Sequence, residues 1–303
     1  MTAGPIEPLE PPVWYAPLRS PSWLVPVVRE GAPTIVFCAE GWDDRAVGEA
    51  GRDLRLGLPV YLAEAVRFGT NARPFAGRLA MSGSEVWPGA PVTVRSTVGA
   101  EGRASIALCV LDAAGDVIAD VAREAHDEAT LGAVLEGLPR AVVEAVGPAG
   151  IRPAWSSLYS VPTGAALAAY VRGQRACLRL RDGALPASAD PDSIAARRAD
   201  VRAVLEALGS LATSTTGPFP ALLFFGALLA AHDAGSSVVG DFRMQASVRW
   251  TAATDPVDPV FAIAALVMRV FGDLDASDRR IDVLRARDDG SMRRWLADVQ
   301  TVT

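Results

Sequence analysis

Hydrophobic positions change their period along the chain. Thr34-Ile-Val-Phe-Cys38 is a short run of β-formers and predicts a buried strand. A proline at a first helical turn, Pro59, then a stripe of Leu58, Tyr61, Leu62, Ala65 and Val66 with a stop at Gly69, predicts a helix. Residues 75–82 (FAGRLAMS) predict a second strand. Val92 to Val98 alternates, and Ser105 to Leu111 is nearly all apolar, as an inner strand is. Gly99 to Arg103 between them is a turn of hairpin length, Asp112 to Gly115 is a second turn, and Asp116 to Glu124 reads as the third strand of one meander. A helix from Thr130 to Val146 follows, with Leu131, Val134, Leu135, Leu138, Val142 and Ala145 on one face and a kink expected at Pro139. Strand, helix, strand, meander, helix is the order of one α/β layer domain with a mixed sheet.

Beyond Pro162 the pattern is helical throughout. Thr163, Asp190-Pro191, Thr216-Gly-Pro218 and Asp258-Pro259 each place an oxygen-bearing or proline start signal before an apolar-periodic run. Gly240-Asp241-Phe242 and Gly272-Asp273-Leu274 lie 32 residues apart, and Asp255-Pro256 and Asp288-Asp289 lie 33 apart. Each glycine follows an Ala/Leu-rich helix and precedes another, which predicts stacked helical hairpins.

Two segments connect to these domains. Residues 1–30 carry Pro5, Pro8, Pro11, Pro12, Pro17, Pro21 and Pro26, which deny a helix and most strand pairing. Trp14, Tyr15 and Trp23 sit among them, so this arm either packs on its own chain or docks on another. Residues 148–162 read as a linker between an α/β domain over 31–147 and a helical domain over 163–303.

Composition then removes chemistry. All 29 basic residues are arginine and none is lysine, so no P-loop lysine, Schiff base or lysine general base exists. The net charge of −6 argues against a nucleic-acid partner, since phosphates call for a basic face. Cys38, Cys109 and Cys177 have no metal-ligand or C-x-x-C spacing and suit reduced, buried thiols in a cytosol. The N-terminus lacks a secretory pattern, and the most apolar run, Phe219 to Ala231, is too short to span a bilayer. These features predict a cytoplasmic protein with no membrane partner.

Two motifs carry a resemblance. Ala107–Ala125 (ALCVLDAAGDVIADVAREA) is similar to the hairpin of TolB N-terminal-like domains, with Asp112 and Gly115 matching and Ile118-Ala119 in place of the usual Leu-Trp. Pro162–Arg179 (PTGAALAAYVRGQRACLR) resembles the helix that leads from such domains into tetratricopeptide-like helices, through Pro162, Thr163, Tyr170, Arg172 and Gly173. The likeness departs at 83–91, where the family's strand is not recognisable. It implies a TolB-N-like α/β domain joined to an all-α, helical-hairpin (TPR-like) domain in a bacterial protein. Such pairs act as regulatory or assembly modules, and the motifs contain no catalytic residue.

Candidate chemistry is sparse. His126-Asp127 and His232-Asp233 each follow alanine at an element end, where capping is the ordinary role and acid–base work the alternative. Acidic groups such as Asp273/Asp275/Asp278 lack the glycine and terminal glutamate of a calcium loop. No G-x-G-x-x-G follows a strand. Arginine is the positive hint: Arg243, Arg249 and Trp250 share one helix and Arg269 the next, as in a groove for a partner peptide, with Trp14 and Trp23 as further anchors. The expectation is a non-enzymatic scaffold or adaptor with a protein partner, no catalytic residue, no metal and no cofactor; a homo-oligomer stays open. Small-molecule sensing at the strand ends and a hydrolase using His126 or His232 are the alternatives.

Overall fold

The computed structural model describes residues 8–40, 49–77, 90–99, 104–182, 191–287 and 290–302. Of the sequence expectations, the break at 41–44, the strand beyond Gly77, the strand missing from the resemblance at 83–91, most of the turn at 99–103, the cap at Asp190 and the pair Asp288-Asp289 fall outside those residues. The chain divides into two compact units.

The first unit is a mixed sheet with helices. Its strands are β1 (Pro8–Leu9), β2 (Thr34–Ala39), β3 (Arg73–Gly77), β4 (Val92–Gly99), β5 (Ala104–Asp112) and β6 (Val117–Ala125). They lie in the order β1-β3-β2-β4-β5-β6. β2 runs parallel to both β3 and β4, while β4, β5 and β6 form the antiparallel meander. Register places Phe37, Val94 and Val110 in one row across three strands, and all three are fully buried. Residues of the opposite parity on β5, Ser105 and Ala107, are exposed, so this end of the sheet keeps one dry and one wet face. Helix α1 (Glu49–Gly69) packs on β2, β3 and β4, and helix α2 (Glu128–Val146) on β5 and β6.

Helix α1 starts ten residues before the expected Pro59, which lies inside it. Leu54 and Leu58, both buried, extend the apolar stripe upstream, and their burial outweighs the amide hydrogen bond that proline removes. Helix α2 begins where Asp127 closes a capping box. The Asp127 carboxylate accepts from the Thr130 amide at 2.7 Å, and the Asp127 amide donates to the Thr130 hydroxyl at 3.0 Å.

Residues 148–159 of the expected linker are strapped to this unit, while Ser160–Pro162 belong to the other. Ala154 donates to the Gly69 carbonyl and Ser156 to that of Phe68, both at 2.7 Å. Tyr159 stacks on Phe68 at 5.4 Å. The unit boundary falls later than residue 163, inside helix α3 (Ala165–Asp182), because residues 163–175 pack with the sheet unit. At Gly57 a Cβ would come within 2.1 Å of the Val171 carbonyl oxygen, so only glycine lets α1 meet α3 there. Beside that crossing, fully buried Glu64 accepts a 2.8 Å hydrogen bond from the Tyr170 hydroxyl.

The second unit is helical. It contains α4 (Pro191–Ser214), α5 (Pro218–Asp233), α6 (Arg243–Ala252), α7 (Pro259–Val270), α8 (Leu274–Arg287) and α9 (Arg293–Gln300). Every residue of α5 from Phe219 to Ala231 is buried, which makes it the central rod and explains its lack of an apolar stripe. It packs on α4 and α7, α7 pairs with α8, and α6 lies on α4 and α7. The Asp258 side chain caps α7 by accepting from the Val260 amide at 2.8 Å.

Two expectations change here. Residues 13–25 are not a separate arm: they belong to the helical unit, with Trp14, Leu18 and Leu24 in its core. Trp14 packs against Gly226 of α5, where a Cβ would sit 2.8 Å from the tryptophan Cβ. The repeat is also in a different register. Gly272 ends α7 with a left-handed φ of 76°, and its counterpart is Gly235 after α5, at 73°, not Gly240. Each glycine donates to the carbonyl three residues back and the next residue donates five back, the helix-ending motif that favours glycine. Gly240 instead lies in a 3-10 turn, Ser237–Phe242, that leads into α6.

Candidate functional site

The residues expected to line a partner groove have other work. Trp14 and Trp250 are buried, Trp14 edge-on to Phe219 at 5.7 Å and Trp250 against Phe271 at 5.8 Å. Trp23 is half-buried and lies edge-on to Trp295 at 5.6 Å. Arg249 donates to the carbonyls of Thr215 at 3.0 Å and Gly217 at 3.2 Å, tying α6 to the α4–α5 turn. Arg243 pairs with Asp273, and buried Arg269 pairs with Asp278 of α8. Burial lowers the pKa of Arg249 from its ordinary value, opposed by the charge of Asp258. The side chains thus address separate partners within the chain.

Another arginine, from the arginine-rich C-terminal stretch, does more than these. Arg280 of α8 donates to the carbonyls of Trp250, Ala253 and Phe261, and its guanidinium lies 4.3 Å over the Phe261 ring. It closes the C-terminal end of α6, where helix carbonyls lack internal partners. No spacing rule announces it, because its partners lie on the end of α6 and on α7, 19 to 30 residues away.

The thiols are packing groups. Burial pushes the Cys38 pKa up to about 12, and it also raises that of half-buried Cys109, helped by a hydrogen bond with Asp120. A thiol so shifted is a poor nucleophile. Among the described residues, no group of His, Cys, Asp or Glu is placed to hold a metal ion. No helix among them is long and apolar enough to cross a membrane.

Polar side chains converge at a cleft of the helical unit, about 620 Å3 in volume, lined by Ala16, Arg19, Ser20, His232, Asp298, Thr301 and Val302. Asp233, at the end of α5, receives both terminal nitrogens of Arg19 at 2.9 and 3.0 Å. The same carboxylate stands 3.4 Å from His232 Nδ1. The adjacent His-Asp pair therefore does meet, as catalysis would ask. Among the described residues the Ser20 hydroxyl makes no hydrogen bond to His232. His126 lies in the other unit on an exposed turn, with its backbone amide bonded to the Thr130 hydroxyl at 3.0 Å.

Two surfaces leave apolar side chains in water. On α6, Ala246 and Trp250 are buried, as are the flanking Phe242 and Ala253, while Met244 and Val248, one turn apart, are 78% and 50% exposed. Leu274, also exposed, follows Asp273 in the chain, and Asp273 pairs with Arg243, the residue before Met244. On the sheet, edge strand β6 exposes Val117 and Ile118. No protein-family model matches the chain, and no curated protein matches it.

Proposed function

We propose that this chain is a non-enzymatic scaffold or adaptor in the bacterial cytoplasm, joining a TolB-N-like α/β domain to a TPR-like helical domain that binds a protein partner. The observation that carries the reading is the solvent face of α6. Met244 and Val248 are exposed one turn apart on one stripe, next in sequence to the Arg243–Asp273 pair. An apolar stripe flanked by charge fits an amphipathic helix of a partner, and methionine adapts its shape to such a surface. The binding face is therefore the side of α6 opposite Trp250, and Trp250 and Arg249 hold that helix in place from behind.

The test is a double variant, Met244→Glu with Val248→Lys. Both positions are exposed, so stability should change by no more than about 0.5 kcal/mol each. Complexes recovered from native lysate by crosslinking and mass spectrometry should be present for the wild type and absent for the variant at equal melting temperature. A variant that keeps the same partner sinks the α6 reading, and a wild type that recovers none sinks the adaptor.

A further inference from the structure

We infer that the Ser20–Asp298 cleft of the helical unit binds a small organic cation, a primary amine on a short methylene chain. This is a site separate from partner docking on α6.

The loop that shapes one wall is held in a costly conformation. Leu18 donates to the Trp14 carbonyl, Arg19 to that of Ala16 and Ser20 to that of Tyr15, which is the hydrogen-bond pattern of a helix end. Such an end wants glycine at its left-handed position. Here Arg19 and Ser20 have φ of 62° and 51°. Two side-chain-bearing residues in that region cost about 1–2 kcal/mol each. The chain is held there by the Arg19–Asp233 pair and by Trp295, whose indole N–H donates to the Leu18 carbonyl at 2.9 Å. The result presents the Ser20 side chain to the cleft instead of a bare glycine.

Charge then selects the ligand. Arg19 and Asp233 neutralise each other through two hydrogen bonds. Asp298 lines the cleft from the last turn of α9, and its carboxylate has no partner among the described residues. The uncompensated charge is therefore negative. The Thr301 hydroxyl donates to the Asp298 backbone carbonyl at 2.7 Å, which leaves its oxygen lone pairs as acceptors. With the Ser20 hydroxyl, the cleft offers acceptors around one carboxylate. An ammonium group has three donors and no acceptor, which matches that set. Ala16 and Val302 supply apolar wall for methylenes. An anion would find Arg19 already engaged on both terminal nitrogens.

Calorimetric titration of the full chain at fixed ionic strength tests this, with putrescine and ethanolamine as probes and glutarate as an anion of similar length. The amines should bind and glutarate should not. Asp298→Asn should weaken amine binding about tenfold, the loss of one charge-assisted hydrogen bond. Glu206→Gln, an exposed acid elsewhere in the same unit, should leave it unchanged. Absence of amine binding, preference for glutarate, or equal weakening by the two variants would each overturn the site. The Met244/Val248 variant should bind amines as the wild type does, so this result and the partner test fail independently.

Discussion

Strand β6 and helix α6 both leave apolar side chains in water, but the two are built to opposite ends. Among the described residues β6 is bonded to β5 alone and stands at the edge of the sheet. That edge is guarded. The pairing steps from Val110↔Ala119 to Leu111↔Val117, which leaves Ile118 as a bulge, and Asp120, Arg123 and Glu124 follow. Bulges and charges are the means by which edge strands avoid pairing with other chains. On α6 the exposed stripe has no such guard, and its nearby charges, Arg243 and Asp273, are neutralised by each other. A main-chain edge accepts any extended segment, so it is blunted; a side-chain face is selective by shape, so it can stay open.

The largest effect is expected on the hidden side of the open element. Trp250→Ala removes a core side chain and should cost about 3–5 kcal/mol in urea unfolding. Val248→Ala, on the other stripe, should stay within about 0.5 kcal/mol. Equal losses would mean that α6 does not have one structural and one free face. Next comes the guard on β6. Deleting Ile118 removes the bulge, and light scattering should then show concentration-dependent association that the wild type lacks. A deletion variant that stays as dispersed as the wild type would assign the protection to the charges alone.

The smallest effect concerns the cap of α2, the helix behind β6. Hydrogen bonds from Thr130 hold the Asp127 carboxyl below its ordinary pKa. A group depressed in the folded state stabilises the fold above its unfolded pKa, and that contribution disappears as pH falls through the folded value. Asp127→Ala should therefore lower the urea midpoint at neutral pH, and the gap from wild type should close as pH falls through the depressed folded value. A gap that persists in acid would show that the carboxylate charge is not what caps the helix.

Much of the architecture is written in local pattern. The meander strands lie within a residue of where alternation and the Asp112–Gly115 turn place them, because side-chain period and turn chemistry act over a few residues. Asp258-Pro259 and Pro218 start helices where they stand. Pro59 misleads for the opposite reason: a local rule makes it a start, and the burial of Leu54 against distant residues overrides that rule. The candidate site was less legible. An arginine and a tryptophan one residue apart suggest a groove by composition, and nothing local says that one would face carbonyls and the other the core.

By itself, the order of residues determined that one half would be a sheet with helices and the other all helix, where most elements begin, and that no lysine chemistry exists. Tertiary structure decided which side chains remain for binding. Trp295 reaches the Leu18 carbonyl across 277 positions, and Arg19 reaches Asp233 across 214. Those separations lie beyond any periodicity, so only the packed chain shows that the tryptophans became supports, that Arg280 became a cap, and that Met244 and Asp298 were left facing water.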